Sequence, residues 1–163
     1  MKKKEKIKLL LKESYLAVIK NSSGSKIFRN FYAKVKEKKK DILNNGELSC
    51  SFFVSSILVI FKLIKEIHFT VSGSIRDLEK SGWRKIEIDS QIKKRIKPGN
   101  IILWEEKKID QEVHKHIGFY LGRKKAISNA YWLYKKREPI IHHFTYHGKR
   151  KIVAIYWHKK LEI

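Results

Sequence analysis

The sequence predicts an α+β domain in which N-terminal helices pack on an antiparallel β-sheet. Apolar residues recur near helical spacing in the first half of the chain, and short alternating runs separated by turn residues follow from residue 83 onward. Hydrophobic residues make up 42% of the 163 residues, which is enough for one domain with its own core. Helices followed by a series of strands are typical of α+β folds.

Two helices are predicted near the N-terminus. Residues 5–20 place apolar side chains near helical spacing and predict an amphipathic helix, which the sequence NSSGS at 21–25 ends. Residues 26–36 carry apolar and aromatic side chains on one side and predict a second helix. The charged, turn-rich sequence KEKKKDILNNGE then connects this helix to the next.

Two further helices are predicted before the strands begin. Residues 48–65 are apolar over most of the helix circumference, which predicts burial beneath other elements. Residues 75–81 predict a short helix with Thr70 or Ser72 as its N-cap and with Gly82 in a left-handed conformation at its end.

The second half of the chain alternates apolar and polar residues in short runs, with turn sequences such as Pro98-Gly99 between them. These runs predict strands at residues 83–88, 100–105, 115–122, 125–130 and 151–157. We expect a single domain over residues 1–163, with a helical extension at 1–44 and a core at 45–163.

The charge is the outlying feature of the composition. The 38 Lys and Arg residues against 16 Asp and Glu residues give a formal net charge of +22. Such a charge attracts anionic polymers of any kind, including nucleic acid and wall polymers. The sequence contains no RNP-like strand, no zinc-finger spacing and no glycine-rich KH loop, so no specific nucleic-acid motif is predicted.

No transmembrane segment or signal peptide is predicted. The N-terminal sequence MKKKEKIKLLLKES begins like a signal peptide, but Lys12 and Glu13 interrupt its apolar part and no small-residue cleavage site follows. The apolar run at residues 52–64 is too short to span a bilayer and contains Lys62. We expect a protein that is either cytoplasmic or released without a standard signal.

Cys50 is the single cysteine and stands where the third helix begins. A free cysteine is often a small buried hydrophobe. At a helix start, however, the partial positive charge of unpaired backbone N–H groups favours the thiolate. A cysteine nucleophile also needs an imidazole base, and His116 begins the predicted strand HIGFYLG.

A third polar group is needed to orient the imidazole of His116. The following strand, KAISNA, offers Asn129 and Ser128, and strand alternation allows only one of them to face His116. The amide of Asn129 suits the chemistry better, whereas a plain residue count from His116 favours Ser128. We take Asn129 as the third catalytic residue and Ser128 as its alternative.

Several motifs together resemble the NlpC/P60 cysteine peptidases. They are SCSFFVSSIL with Cys50 at a helix start, TVSGSIRDLEKSGW, IKPGNIILW and HIGFYLG, in this order between residues 45 and 130. The resemblance implies a papain-like α+β fold in which Cys50 attacks an amide or ester carbonyl and His116 acts as base. It further implies a peptide or peptidoglycan-like substrate and no cofactor.

Two of these motifs depart from the family pattern. The usual Asp-Cys-Ser-Gly is Ser49-Cys50-Ser51-Phe52 here, and the usual Pro-Gly-Asp is Pro98-Gly99-Asn100. The resemblance therefore indicates a divergent branch with its own substrate.

The remaining histidines suggest no metal centre. A zinc site needs three or four ligands at recognisable spacing, and neither His114 with His116 nor the segment IIHHFTYHG provides them, so no metal is predicted. His142 and His143 are instead candidate walls of the active site, together with Ser49 and Ser51.

Two other functions compete with a thiol hydrolase. One is a polyanion-binding module whose catalytic site has decayed, for which the high positive charge is the observation. The other is an acyl-lipid hydrolase or transferase, which would need an apolar channel beside Cys50, with Phe52, Phe53 and Trp104 as its candidate walls.

Overall fold

A six-stranded antiparallel β-sheet is the centre of an α+β fold, as the sequence predicts at this coarse level. The computed structural model describes residues 7–109 and 111–162. In these residues the strands are β1 (Tyr32–Val35), β2 (Lys38–Asp41), β3 (Arg84–Ile86), β4 (Ile101–Ile109), β5 (Glu112–Gly122), β6 (Lys125–Ser128), β7 (Ile140–His143) and β8 (Ile152–Trp157). The large sheet has the order β3-β8-β4-β5-β6-β7, and β1 and β2 form a separate hairpin.

The helices lie mainly before the sheet in sequence. Within the described residues they are α1 (Leu11–Asn21), α2 (Cys50–Ile60), α3 (Val71–Lys80), α4 (Ile92–Arg95) and α5 (Tyr131–Tyr134), with short 3-10 turns at Lys26–Phe28, Tyr146–Gly148 and Lys159–Leu161. None of the helices in this part of the chain has the length and apolar character that crossing a membrane requires.

Helix α2 is buried against the central strand β5, with α1 and α3 beside it. Its surface is apolar almost all round because three elements cover it. Successive residues of the strands point to opposite faces of the sheet and so build two cores. Ile101, Ile117 and Phe119 join α2 in one core, and Ile102 and Trp104 belong to the other.

Helix α1 is fixed to the turn that precedes β4. The buried hydroxyl of Tyr15 donates to the carbonyl oxygen of Gly99 at 3.0 Å. Gly99 has a φ of +89°, and a Cβ there would lie 2.9 Å from the Tyr15 ring, so this position favours glycine on both grounds. The Pro-Gly turn thus holds the N-terminal extension on the core.

The main error of the sequence prediction lies in residues 26–41. The predicted helix 26–36 is a 3-10 turn followed by the hairpin of β1 and β2, so the extension is only partly helical. The apolar residues in this segment do not share one buried face: Phe28 is in the core, whereas Ile27 is 74% exposed. Asp41 stabilises the hairpin base by accepting the backbone N–H groups of Phe31 and Leu43.

Most other elements are found near their predicted positions. Thr70, one of the two predicted caps, accepts from the N–H of Gly73 at the start of α3, which begins at Val71 and not at residue 75. Gly82 has a φ of +93°, as predicted. Helix α1 begins at Leu11 and α2 ends at Ile60, so both are shorter than predicted. Strand β7 lies in the IIHH segment, for which no strand was predicted.

Candidate active site

Cys50 is the first residue of α2, and it is partly exposed. The preceding hydroxyl, that of Ser49, donates to the carbonyl oxygen of Gly46 at 3.1 Å and accepts from Asn129 Nδ2, so it does not cap the helix. The backbone N–H groups of Cys50 and Ser51 face the sulfur instead. The sulfur therefore lies in the partial positive charge of an uncapped helix start.

His116 lies in β5 beside Ile117, whose backbone N–H faces the Cys50 thiol. The imidazole is buried, and its Nε2 lies 2.9 Å from Ser128 Oγ and 2.7 Å from Tyr146 Oη. Within the described residues Nδ1 has no hydrogen-bond partner. Nε2 of the ring is thus held by two hydroxyl groups, whereas Nδ1 is free of hydrogen bonds to the described residues.

The geometry does not support the choice of Asn129 as the group that orients His116. Ser128 makes this hydrogen bond, whereas Asn129 Nδ2 donates to Ser49 and, at 3.1 Å, to the carbonyl oxygen of Arg137. Neighbouring residues of a strand point to opposite faces, so Ser128 and Asn129 cannot both face the imidazole. The alternative, Ser128, is the residue that the fold places against His116.

Gly118 permits the close approach that brings Ser128 to His116. A Cβ at Gly118 would lie 2.5 Å from the carbonyl oxygen of Ile127 and 2.7 Å from Ser128 Cβ, which is too close for any side chain. On the neighbouring strand, Trp104 pairs with His116 and its ring lies 5.1 Å from the imidazole. The imidazole is thereby held between an indole ring and the hydroxyl network.

The hydrogen-bond network favours one tautomer of His116. His142 Nδ1 lies 2.9 Å from the carbonyl oxygen of His143, which can only accept, so Nδ1 carries the hydrogen. Neutral His142 then accepts at Nε2 from the hydroxyl of Ser128 at 2.8 Å. Ser128 Oγ is left to accept from Tyr146 at 2.7 Å and from His116. This order favours a hydrogen on Nε2 of His116 and a free electron pair on Nδ1.

Burial keeps the candidate nucleophile and base neutral at rest. Desolvation raises the pKa of the Cys50 thiol, and the facing N–H groups and the charge of Arg150 oppose this only in part. Desolvation also holds the pKa of His116 well below its ordinary value, with Arg150 and His142 adding to the effect. His142 is likewise neutral, since burial lowers its pKa to about 4. The resting pair is a thiol and a neutral imidazole.

Cys50 and His116 line the same cleft, which has a volume of about 520 Å³. Of the candidate wall residues, Ser51 also lines it, although its hydroxyl is bonded to Ser74 and to a backbone carbonyl behind the helix. Ser49, His142 and His143 do not line the cleft, and Nδ1 of His143 accepts from the hydroxyl of a neighbouring threonine.

The candidate walls of an apolar channel do not face the cleft. Phe52 and Phe53 pack in the core around α2, and Trp104 packs in the core on the other face of the sheet. Among the described residues no three His, Cys, Asp or Glu side chains are grouped so as to hold a metal ion.

Two residues of the site were missed by sequence reasoning. Tyr146 supplies the second hydroxyl on His116, and Arg150 lines the cleft beside Cys50. Neither belongs to a motif that would have identified it. The only signal was the proximity of both residues to His142 in the sequence, which becomes informative once β7 is placed beside β6 at the edge of the sheet.

A scan against models of known protein families finds no match to this chain, and a search among curated proteins finds no relative.

Proposed function

We propose that this protein is a thiol hydrolase that cleaves an amide bond. The observation that carries this proposal is the shared cleft, which is lined by Cys50 at an uncapped helix start and by His116, held at Nε2 by Ser128 and Tyr146. A core histidine of purely structural role would need neither an open nitrogen nor a neighbouring thiol.

The geometry suggests how the reaction would proceed. His116 Nδ1 takes the proton of the Cys50 thiol as the sulfur attacks the amide carbonyl, and an S–C bond forms. The backbone N–H groups at the start of α2 stabilise the negative oxygen. The C–N bond then breaks, and the proton on His116 passes to the leaving amine. Water, deprotonated by His116, hydrolyses the thioester and regenerates the thiol.

The papain-like assignment is part of this proposal. A cysteine at the head of a buried helix, packed against a strand that carries the histidine, is the arrangement that the resemblance to NlpC/P60 peptidases implies. The contacts of α2 with β5 support it. In that family the substrate is a peptide or peptidoglycan-like peptide, and the open cleft of about 520 Å³ is large enough for several residues of such a chain.

The pH dependence of Cys50 alkylation by iodoacetamide tests the proposal. Cys50 is the only cysteine, so the modified mass reports on it alone. Because the pKa of His116 lies well below 6.5, we expect the base to remain active and alkylation to persist below the ordinary thiol pKa of about 8.5. In His116→Ala, reaction should require the thiol to ionise by itself, and its raised pKa confines that to alkaline pH.

His143→Ala is the matched control, since it removes a histidine that neither lines the cleft nor contacts His116. This variant should retain the parent profile. A Cys50 that reacts only after unfolding, or that reacts identically in His116→Ala, would contradict the proposal.

A second candidate function is polyanion binding, favoured by the hairpin of β1 and β2. The segment from residue 34 to residue 40 contains five lysines, all exposed. Such a ribbon suits contact with phosphate or sulfate groups. Replacing Lys38, Lys39 and Lys40 by Gln should weaken heparin binding and reduce its salt dependence. Cys50→Ala should leave that binding unchanged, and the absence of any salt-dependent binding would exclude this function.

A further inference from the structure

Arg150 presents part of its guanidinium group to the cleft from a fixed position. Its Nε donates to the carbonyl oxygen of Glu105 at 2.9 Å, and its Nη2 donates to the carbonyl oxygen of His114 at 2.8 Å. The ladder of β4 and β5 is irregular between Trp104 and Lys107, which is where Glu105 lies. One edge of the guanidinium is thus anchored on the sheet.

The other end of the guanidinium is not neutralised within the described residues. Nη1 and the second hydrogen of Nη2 have no hydrogen-bond partner there, and no carboxylate in residues 7–109 and 111–162 lies within 4.0 Å of the group. The carboxylate of Glu105 accepts the backbone N–H of Lys151 instead. Among the described residues, the half-buried guanidinium of Arg150 therefore has no carboxylate in direct contact, and the charge of Glu105 acts on it only from a distance.

Arg150 is close to the reacting groups. It lines the cleft together with Cys50 and His116, and it lines the adjoining cavity of about 130 Å³ together with Tyr146. Its charge is felt by Cys50, His116 and Tyr146.

Three other charged side chains line the cleft. The carboxylate of Glu112 lies 3.9 Å from Nε2 of His114, and the other two are paired with opposite charges. Lys115 Nζ lies 3.2 Å from Glu106, and Glu47 lies 2.9 Å from Arg137. Arg150 thus provides a positive charge that no carboxylate contacts among the described residues, on the cleft that Cys50 also lines, and the free end of a guanidinium matches the planar oxygens of a carboxylate.

We propose that Arg150 binds a carboxylate of the substrate, so that the protein selects peptides or acyl-amino acids carrying a carboxylate next to the amide that is cleaved. This inference rests on the proposed hydrolase function and names its substrate class. Arg150 contributes affinity and selectivity, and it neither donates nor accepts the proton that is transferred.

Two alkylating reagents of nearly equal size test the selectivity. Iodoacetate carries a carboxylate beside the carbon that the sulfur attacks, whereas iodoacetamide carries a neutral amide there. We expect the rate constant for iodoacetate divided by that for iodoacetamide, both at Cys50, to fall about tenfold in Arg150→Gln. A change of this size is the effect of losing one charge-assisted hydrogen bond. The ratio cancels any change in thiol pKa, because both reagents meet the same nucleophile.

Lys115→Gln is the matched control, since it removes one positive charge from the rim of the same cleft. It should change the ratio less than twofold. Arg150→Lys keeps the charge but loses the planar fork, and we expect an intermediate ratio; it also serves if Arg150→Gln does not fold. Equal ratios in the parent, Arg150→Lys and Arg150→Gln would overturn the carboxylate site.

Ligand binding to the Cys50→Ala variant separates the two proposals. N-acetylalanine, which carries a carboxylate next to its amide, and its neutral counterpart N-acetylalaninamide are titrated while NMR follows the amide of Ile117. We expect tighter binding of N-acetylalanine, and we expect this preference to be lost when Arg150→Gln is added. Such binding combined with an inert Cys50 would refute the hydrolase and retain the carboxylate site. Equal binding of both compounds, with a reactive Cys50, would refute only the carboxylate site.

Discussion

Replacing Ser128 by Ala is the sharpest test of how the site is built. The hydroxyl of Ser128 lies 2.9 Å from His116 Nε2, 2.7 Å from Tyr146 Oη and 2.8 Å from His142 Nε2. The substitution removes all three hydrogen bonds and leaves little else changed, since the Cβ atom is kept. It isolates the group that sets the tautomer of His116.

The expected losses in stability and in alkylation rate follow from the hydrogen bonds that each neighbour of Ser128 retains. His142 Nε2 loses its donor in a buried position, which lowers the free energy of unfolding by about 1–3 kcal/mol. His116 keeps the hydroxyl of Tyr146 at 2.7 Å, so its orientation is lost only in part. We expect the His116-dependent alkylation rate to fall about tenfold, equivalent to about 1.4 kcal/mol. Adding Tyr146→Phe should bring the rate close to that of His116→Ala.

The assay is alkylation of Cys50 by iodoacetamide at pH 6.5, followed by intact mass, with Asn129→Ala as the matched comparison. Asn129 bonds to Ser49 and to a backbone carbonyl, and not to His116, so its removal should change the rate less than threefold. A larger loss of rate in Asn129→Ala than in Ser128→Ala would refute the assignment of Ser128.

Three further substitutions probe the frame around the site. Gly118→Ala forces a Cβ to within 2.5 Å of the Ile127 carbonyl, so thermal denaturation should show a loss of about 1–3 kcal/mol together with slower alkylation. Tyr15→Phe leaves the carbonyl oxygen of Gly99 without its donor, so the melting temperature should fall by roughly 2–4 °C for each kcal/mol of stability lost. An unchanged melting temperature would contradict a stabilising role for this hydrogen bond. His142 takes up its proton at about pH 4 in the folded state but near 6.5 when unfolded, so the unfolded chain binds protons first and stability falls as the pH drops through this window. His142→Gln should flatten that fall in urea titrations performed at several pH values.

The sequence was sufficient for the elements whose periodicity is unambiguous. Helix α2 and strands β4, β5 and β8 are buried, and burial imposes a strong pattern on their residues. The β1–β2 hairpin has no such pattern, because its residues are almost all exposed and its second strand reads KKKD. Its flanking aromatic residues are spaced like those of a helix face, so the local pattern predicted the wrong element.

The choice between Asn129 and Ser128 depends on a single irregularity in the sheet. A regular hairpin that pairs Gly122 with Lys125 would place Asn129 opposite Gly118. The register instead shifts by one residue between Tyr120 and Gly122, so that Tyr120 pairs with Ala126. Ser128 then comes opposite Gly118, on the face that carries His116. A bulge of this kind leaves no mark in the sequence beyond a glycine. The plain residue count from His116, which favours Ser128, agrees with this register, whereas the chemical preference for Asn129 does not.

The third group of the candidate site, Ser128, is a neutral hydroxyl, and this affects the protonation of His116 and Cys50. A carboxylate beside His116 would stabilise the imidazolium and with it a thiolate on Cys50, but Ser128 and Tyr146 carry no charge to do so. The positive charge of Arg150 disfavours the imidazolium further. In the proposed reaction, a bound substrate would therefore assist the proton transfer from thiol to imidazole. A substrate carboxylate paired with Arg150 would neutralise the charge that opposes the imidazolium, so substrate recognition and activation of the nucleophile would depend on the same residue.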